Sequence, residues 1–215
     1  YVNFSQEDFE RFERYMIARY GAYPLVYWTI VGEFDEAGSI SSYNYHGNVF
    51  AQRDPYGHLI TNHPGHSDPN NIGTSRIFAG EDWFSFILQQ YPAVPGEKSA
   101  AEINQYIIDD RQYNMPVVNI EFGYEDNELH GRVLTTEENR KYAWAVVTGG
   151  GFFSYGNGKT IRDVDLSALH SEGAQQVVHL YNFMSKLPWW QMEPANYKVD
   201  NGFCLANDEE EFVIY

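Results

Sequence analysis

Pro116-Val117-Val118-Asn119-Ile120-Glu121 is a short apolar run that stops on a carboxylate, and Leu25-Val26-Tyr27-Trp28-Thr29-Ile30-Val31-Gly32-Glu33 repeats the pattern earlier in the chain. Short β-branched and aromatic runs of this kind, bounded by turn formers, read as strands. An acid that closes a buried strand needs a reason, because an unpaired carboxylate in a core is costly.

Working outward from these two runs, strand-like and helix-like segments alternate, the pattern of an α/β protein with a parallel sheet. Ser5 caps a first helix with Phe9, Phe12, Met16 and Tyr20 spaced along one face, ended by Gly21 and Pro24. The polar stretch from Asp35 to Gly57 reads as an elaborated loop. His58 to His63 is a second strand, followed by a loop rich in Pro, Gly and Asn from Pro64 to Gly73. Trp83 to Leu88 is a third, closed by Gln89 and Gln90. Ser99 with Glu102 and Thr135 with Glu138 are capping boxes that open two helices. The first turns Ile103, Tyr106 and Ile107 inward, and the second Tyr142, Ala145 and Val146. Gly151 to Tyr155 is a fifth strand, and the last helix spans about Ser171 to Leu187, with Val177, Tyr181 and Met184 on one side.

Long polar loops after strands and tight turns before them are the habit of the (β/α)8 barrel, whose sites lie at the carboxyl ends of strands. A barrel takes eight such units and typically ~250 residues. The 215 residues here supply five units, the fourth to eighth, so three are expected to be missing at the front. An open five-stranded doubly wound sheet is the alternative, against which stands the lack of a glycine-rich phosphate loop after the first strand. The expected division is a barrel portion over residues 1–195 and, over 196–215, the start of a β-rich C-terminal domain or a tail packed on the barrel.

Two carboxylates at the ends of separate buried strands suit a retaining glycosidase. One is held protonated to serve the leaving group and the other ionised to attack the sugar. If the strands are the fourth to eighth, Glu33 and Glu121 top strands that face each other, with room for carboxyls ~5 Å apart. Glu33 is then the acid/base and Glu121 the nucleophile. The structural alternative pairs each with an arginine such as Arg76 or Arg140. Asn62, His63, Gln89, Tyr124, Glu125, Tyr155 and Asn157 also end strands or follow them, and are the candidates for contacting sugar hydroxyls or setting the carboxylate pKa values. Trp28 belongs to the core, while Trp189 and Trp190 form either a stacking platform or a seal on the barrel edge. His58, His63, His66 and Asp68 match no zinc spacing, so no metal and no cofactor is expected. The acidic run Asp208-Glu209-Glu210-Glu211 reads as a solvated turn between two strands.

The bulk numbers narrow the partners. A net charge of −16 repels polyanions, which argues against nucleic acid, and no apolar run is long enough to span a bilayer. Aromatics at 17% fit either stacking on sugar rings or a thick core. Cys204 is the single cysteine, so no intrachain disulfide forms. The chain opens on Tyr1-Val2-Asn3-Phe4, with neither a basic leader nor an initiator Met.

Tyr15 to Pro24, then Val26-Tyr27-Trp28 with Gly32-Glu33, Asn62-His63-Pro64, Pro116 to Glu125, Ala143 to Gly156, and Pro188-Trp189-Trp190 form a set of stretches. Together they resemble the apiosidase-like family of glycoside hydrolases. The resemblance covers about Phe9 to Trp190. It implies a (β/α)8 barrel of the large retaining clan, with Glu33 as acid/base and Glu121 as nucleophile. It further implies that Phe203 to Tyr215 begins a small β-sandwich domain. One departure is Gly32: many clan members carry Asn there, holding the sugar 2-hydroxyl, and Asp35 or Glu36 are then alternative acids. The implied substrate is a plant or algal polysaccharide or oligosaccharide, and the implied location is secreted or periplasmic. The missing N-terminal barrel half is expected from the same or another chain.

Overall fold

The computed structural model describes residues 5–36, 38–65, 73–92, 97–126, 133–208 and 210–215, without the side chains of 161–163. The chain forms two compact units, Tyr1–Leu88 and Gln89–Tyr215.

The first unit opens with α1 (Gln6–Tyr20), capped by Ser5, whose side chain accepts from the Asp8 N–H. Strand β1 (Tyr27–Thr29) leads to α2 (Ile40–Arg53) and then to β2 (Leu59–Thr61), which pairs in parallel with β1, Trp28 opposite Ile60. The Asp35–Gly57 stretch is therefore chiefly a helix rather than a loop. Its inward face is Tyr43, His46, Gly47, Val49 and Phe50, a polar-looking set at helical spacing. Gly47 is required by packing, since a Cβ there would lie 2.2 Å from the Trp83 indole. Strand β1 is also shorter and more open than the apolar run suggests, with Tyr27 exposed and Leu25 fully so at φ 63°.

On α1, Phe12 and Tyr20 face solvent, and the buried residues are Glu13 and Ile17. The reason is polar pairing with α2: Glu13 Oε1 lies 2.8 Å from His46 Nδ1, both buried. Burial pushes Glu13 up to about 7, against Arg53 and with Glu10. Burial also pulls His46 below its ordinary 6.5. A raised acid stabilises the fold fully below its unfolded 4.5 and loses that contribution as pH rises through about 7. The depressed His46 acts oppositely, contributing above 6.5 and losing it as pH falls. Glu13→Gln should thus abolish the stability loss between pH 5.5 and 8, measured by urea unfolding at both; an unchanged difference contradicts the assignment.

The second unit begins at Gln89, the last residue of β3 (Ile87–Gln89). Then come α3 (Ala100–Arg111), β4 (Val117–Asn119), α4 (Thr136–Thr148), β5 (Phe152–Phe153), α5 (Gly158–Asp163) and α6 (Glu172–Met184). Both expected capping boxes are present, Ser99 with Glu102 and Thr135 with Glu138. Strand β4 lies between β3 and β5 and runs parallel to β5, Val118 opposite Phe152. Helix α3 buries Ile103 and Ile107, and α4 buries Tyr142, Ala145 and Val146. Helix α6 instead buries Gly173, Ala174, Leu180 and Met184, leaving Tyr181 exposed.

A three-stranded antiparallel sheet closes the chain: β6 (Glu193–Pro194), β7 (Cys204–Asn207) and β8 (Glu211–Ile214). Its Leu205 and Val213 join Leu180, Met184 and Met192 in one apolar cluster. Asp208 and Glu210 form the turn before β8, as their charge suggests, while Glu209 lies outside the described residues. Among the described residues no helix is long and apolar enough to cross a membrane.

Candidate active site

In the first unit the β1–β2 ladder continues past both strands. Ile30 N–H donates to Thr61 O, His63 N–H to Val31 O, and Phe34 N–H to His63 O, all at 3.0–3.1 Å. Glu33 sits inside this ladder extension, half-buried, and takes φ 53°. A left-handed backbone costs an L-residue of its type on the order of 1 kcal/mol. Neighbouring Phe34 fixes the turn, buried against Tyr43 and Phe78, with Tyr43 OH donating to its carbonyl at 3.0 Å.

Asn62 is fully buried. Its Oδ1 accepts from Val31 N–H at 3.2 Å, and its Nδ2 has no partner among the described residues. Gly65 closes over the acid: a Cβ there would stand 2.9 Å from Asp35 Oδ1 and 3.1 Å from Glu33 Cβ. Asp35 accepts the Gly65 N–H at 2.5 Å, so one of its oxygens is engaged in holding the loop. Glu36 is exposed, its N–H returned to Glu33 O. Gly32 meets nothing within 4 Å, so an asparagine would fit there. Gly32→Asn should leave stability within about 1 kcal/mol of wild type; a larger loss in urea unfolding contradicts the open setting.

In the second unit Glu121 follows β4 and is half-buried. Ile120 N–H donates to Gln89 O at 2.8 Å on one side of it, and fully buried Phe122 packs on Tyr142 and Phe153 on the other. Asn119, buried in the strand, donates from Nδ2 to Tyr91 O at 2.6 Å, and its Oδ1 has no partner among the described residues. Gln89 turns its amide nitrogen to α3, donating to Asp110 Oδ2 at 2.7 Å and Tyr106 O at 3.1 Å. Tyr124 is half-buried and covers Gly156, where a Cβ would lie 2.5 Å from its ring.

Glu125, Tyr155 and Asn157 come together around the Glu125 carboxylate. Oε1 accepts from Thr136 Oγ1 and Gly173 N–H, both at 2.9 Å. Oε2 accepts from Tyr155 OH and from Ser171 Oγ at 2.7 Å, and Asn157 Nδ2 donates to Tyr155 at 3.1 Å. Burial pushes Glu125 up, but donation from Tyr155, Ser171, Thr136 and Gly173 outweighs it, and the carboxyl is held below its ordinary value. Burial, then the hydrogen bond to Glu125, raises Tyr155. Thr136 and Gly173 open α4 and α6, whose N-termini favour an anion. Thr136 and Ser171 were not expected here, since a helix-opening threonine and an N-cap serine show no such role in sequence.

The histidines are spread out. His58 precedes β2 and His63 follows it, so they sit at opposite ends of the strand. His58 Nδ1 lies 2.6 Å from Asp54 Oδ2, which also accepts from the buried Trp28 indole at 2.9 Å. His66 and Asp68 lie outside the described residues, among which no group of metal-binding side chains occurs. Cys204 is fully buried, and burial raises its thiol pKa.

The model of the apiosidase-like catalytic domain family matches residues 1–191. A search of curated protein sequences gave no match. Among solved structures, a family 5 glycoside hydrolase from Bacteroides vulgatus superposes with a TM-score of 0.76 at 19% identity, over 94% of this chain and 52% of that one. A second glycoside hydrolase gives 0.74 at 18% identity, over 94% and 54%. A third, also from Bacteroides vulgatus, gives 0.73 at 17%, over 98% and 40%. The chain thus shares an α/β fold with glycoside hydrolase structures and spans about half their length or less.

Proposed function

Because the chain belongs to the apiosidase-like catalytic domain family, we propose that it carries the catalytic carboxylates of a glycoside hydrolase acting on a plant or algal polysaccharide or oligosaccharide. The fold of this reading is a (β/α)8 barrel, of which residues 1–215 hold strands four to eight. One observation carries it: Glu33 and Glu121 each follow a parallel strand at its carboxyl end, held by a ladder bond and a buried phenylalanine. That is where barrel enzymes keep their chemistry.

Retaining chemistry requires the two carboxyls ~5–5.5 Å apart. Glu33, protonated, gives its proton to the glycosidic oxygen as Glu121 attacks the anomeric carbon. The leaving alcohol departs and a glycosyl ester forms on Glu121. Glu33, now a carboxylate, takes a proton from water, whose oxygen displaces Glu121 and restores both groups. Asn62, whose buried Nδ2 has no partner among the described residues, stays among the groups assigned to sugar hydroxyls. His63 and Tyr124 are the flanking groups assigned to sugar hydroxyls. Glu125, Tyr155 and Asn157 spend most of their hydrogen bonds within the protein, and their part is to hold the loop after β4, while the Gln89 amide nitrogen is spent on α3.

Proton NMR of products released from aryl glycosides tests the mechanism. First-formed sugar with the substrate's anomeric configuration is expected; the opposite configuration overturns it. The strained backbone gives a second test. Glu33→Gly relieves φ 53° and should cost no stability, while glycoside cleavage falls at least ~10²-fold; full turnover in this variant removes Glu33 from the mechanism. A non-catalytic carbohydrate-binding barrel is the second reading, favoured by Gly32. Glycan binding without product release would establish it.

A further inference from the structure

Glu33 takes a backbone angle that its residue type disfavours, so the turn around it has to be held by its surroundings. Phe34 N–H donates to His63 O at 3.1 Å, and Glu36 N–H to Glu33 O at 2.9 Å. Both are backbone bonds, open to almost any sequence. A third bond comes from a side chain: Tyr43 OH donates to Phe34 O at 3.0 Å and ties the turn to α2.

Packing does not call for that hydroxyl. The Tyr43 ring meets Phe34 and Phe78 edge-on, at centroid distances of 6.3 and 6.4 Å, and phenylalanine would fill the same space. The residue is nevertheless buried, at 7% exposure, where a hydroxyl is costly unless it is hydrogen-bonded. The loop also closes on the oxygen at Gly38, which takes φ 84° and where a Cβ would collide with it. The helix that carries Tyr43 is itself fixed. One turn on, His46 Nδ1 lies 2.8 Å from Glu13 Oε1, and Gly47 lies against the Trp83 indole.

We infer that Tyr43 is a positioning residue for Glu33: its hydroxyl holds the turn in which the carboxyl meets the glycosidic oxygen. The inference rests on the reading of Glu33 as acid/base given above. A misplacement of about 1 Å, caused away from the chemistry, costs roughly 10²-fold in rate. Here the loss should appear where the leaving group needs a proton from Glu33. Phenoxide needs it, whereas dinitrophenoxide departs unaided.

The test uses full-length protein with Tyr43→Phe, and with Val49→Ala as a control that trims the same buried face of α2 at another position. Amide hydrogen exchange needs no turnover. In Tyr43→Phe, Phe34 and Glu36 should exchange ~10-fold faster relative to Ile30, whose N–H bonds Thr61 O in the same ladder. For the sugar that wild type cleaves, kcat/KM on the phenyl glycoside should fall ~10–10²-fold, and on the dinitrophenyl glycoside by less than ~3-fold. Gly38→Ala, which drives a methyl against the hydroxyl, should do the same. Equal losses on the two substrates, or none on either, overturn the inference. So does an unchanged exchange ratio, and so does the same split in Val49→Ala, since any loosening of α2 would then suffice. Wild type that cleaves no glycoside defeats the functional reading instead, and the exchange ratio alone then decides whether Tyr43 holds the turn.

Discussion

Glu121→Gln should reduce glycoside cleavage by roughly 10⁴-fold or more, the scale on which loss of a covalent nucleophile acts. Folding should be almost unaffected. The residue is half-buried, and the strand before it is held by the Ile120–Gln89 backbone bond and by Phe122, which the substitution leaves in place. A change within about 0.5 kcal/mol, or ~1–2 °C in Tm, is expected. Ligand binding should survive, because glutamine keeps the shape and loses only the attacking charge. Retained turnover would end the nucleophile assignment.

Glu125→Ala, four residues on, should do the reverse. Its carboxylate is buried and accepts from Thr136, Tyr155, Ser171 and Gly173, joining the loop after β4 to α4, β5 and α6. Removing it strands four donors that water cannot easily reach, at ~3–5 kcal/mol, or roughly 10 °C in Tm for a chain of this size. Gly173→Ala should mimic it, since the new Cβ would lie 2.5 Å from Glu125 Oε2. The pH signature follows from the sign of the shift. Glu125 is held below 4.5 in the fold, so its contribution is complete above 4.5 and fades as pH falls through the folded value. Glu125→Ala should therefore unfold along a flatter acid limb than wild type. Equal limbs, or an unchanged Tm, would contradict the network.

Local signals were the legible ones. Ser5, Ser99 and Thr135 mark helix starts because a cap involves groups within one turn, and each caps as expected. The β4 run and Glu121 after it were readable because apolar strands and terminal acids are contiguous in sequence. Helix α2 was hidden because its buried face uses Tyr43, His46 and Gly47, whose reasons are distant: Phe34 O, Glu13 and Trp83. The outward turn of Phe12 and Tyr20 has the same origin, since Glu13 and Phe9 are the residues of α1 that meet His46 of α2. The Glu125 network was half legible. Tyr155 and Asn157 stood out as polar strand-end residues, but that they serve Glu125, together with Thr136 and Ser171, depends on contacts reaching 48 positions along the chain.

The mechanism turns on a covalent bond between Glu121 and sugar. Incubation of the active enzyme with a 2-deoxy-2-fluoro glycoside, then peptide mass mapping, measures it directly. One added glycosyl mass is expected on the peptide containing Glu121, and none when Glu121 is replaced by Gln with Glu33 intact. A label on any other carboxylate, or steady turnover with no ester ever trapped and inverted product, would contradict it.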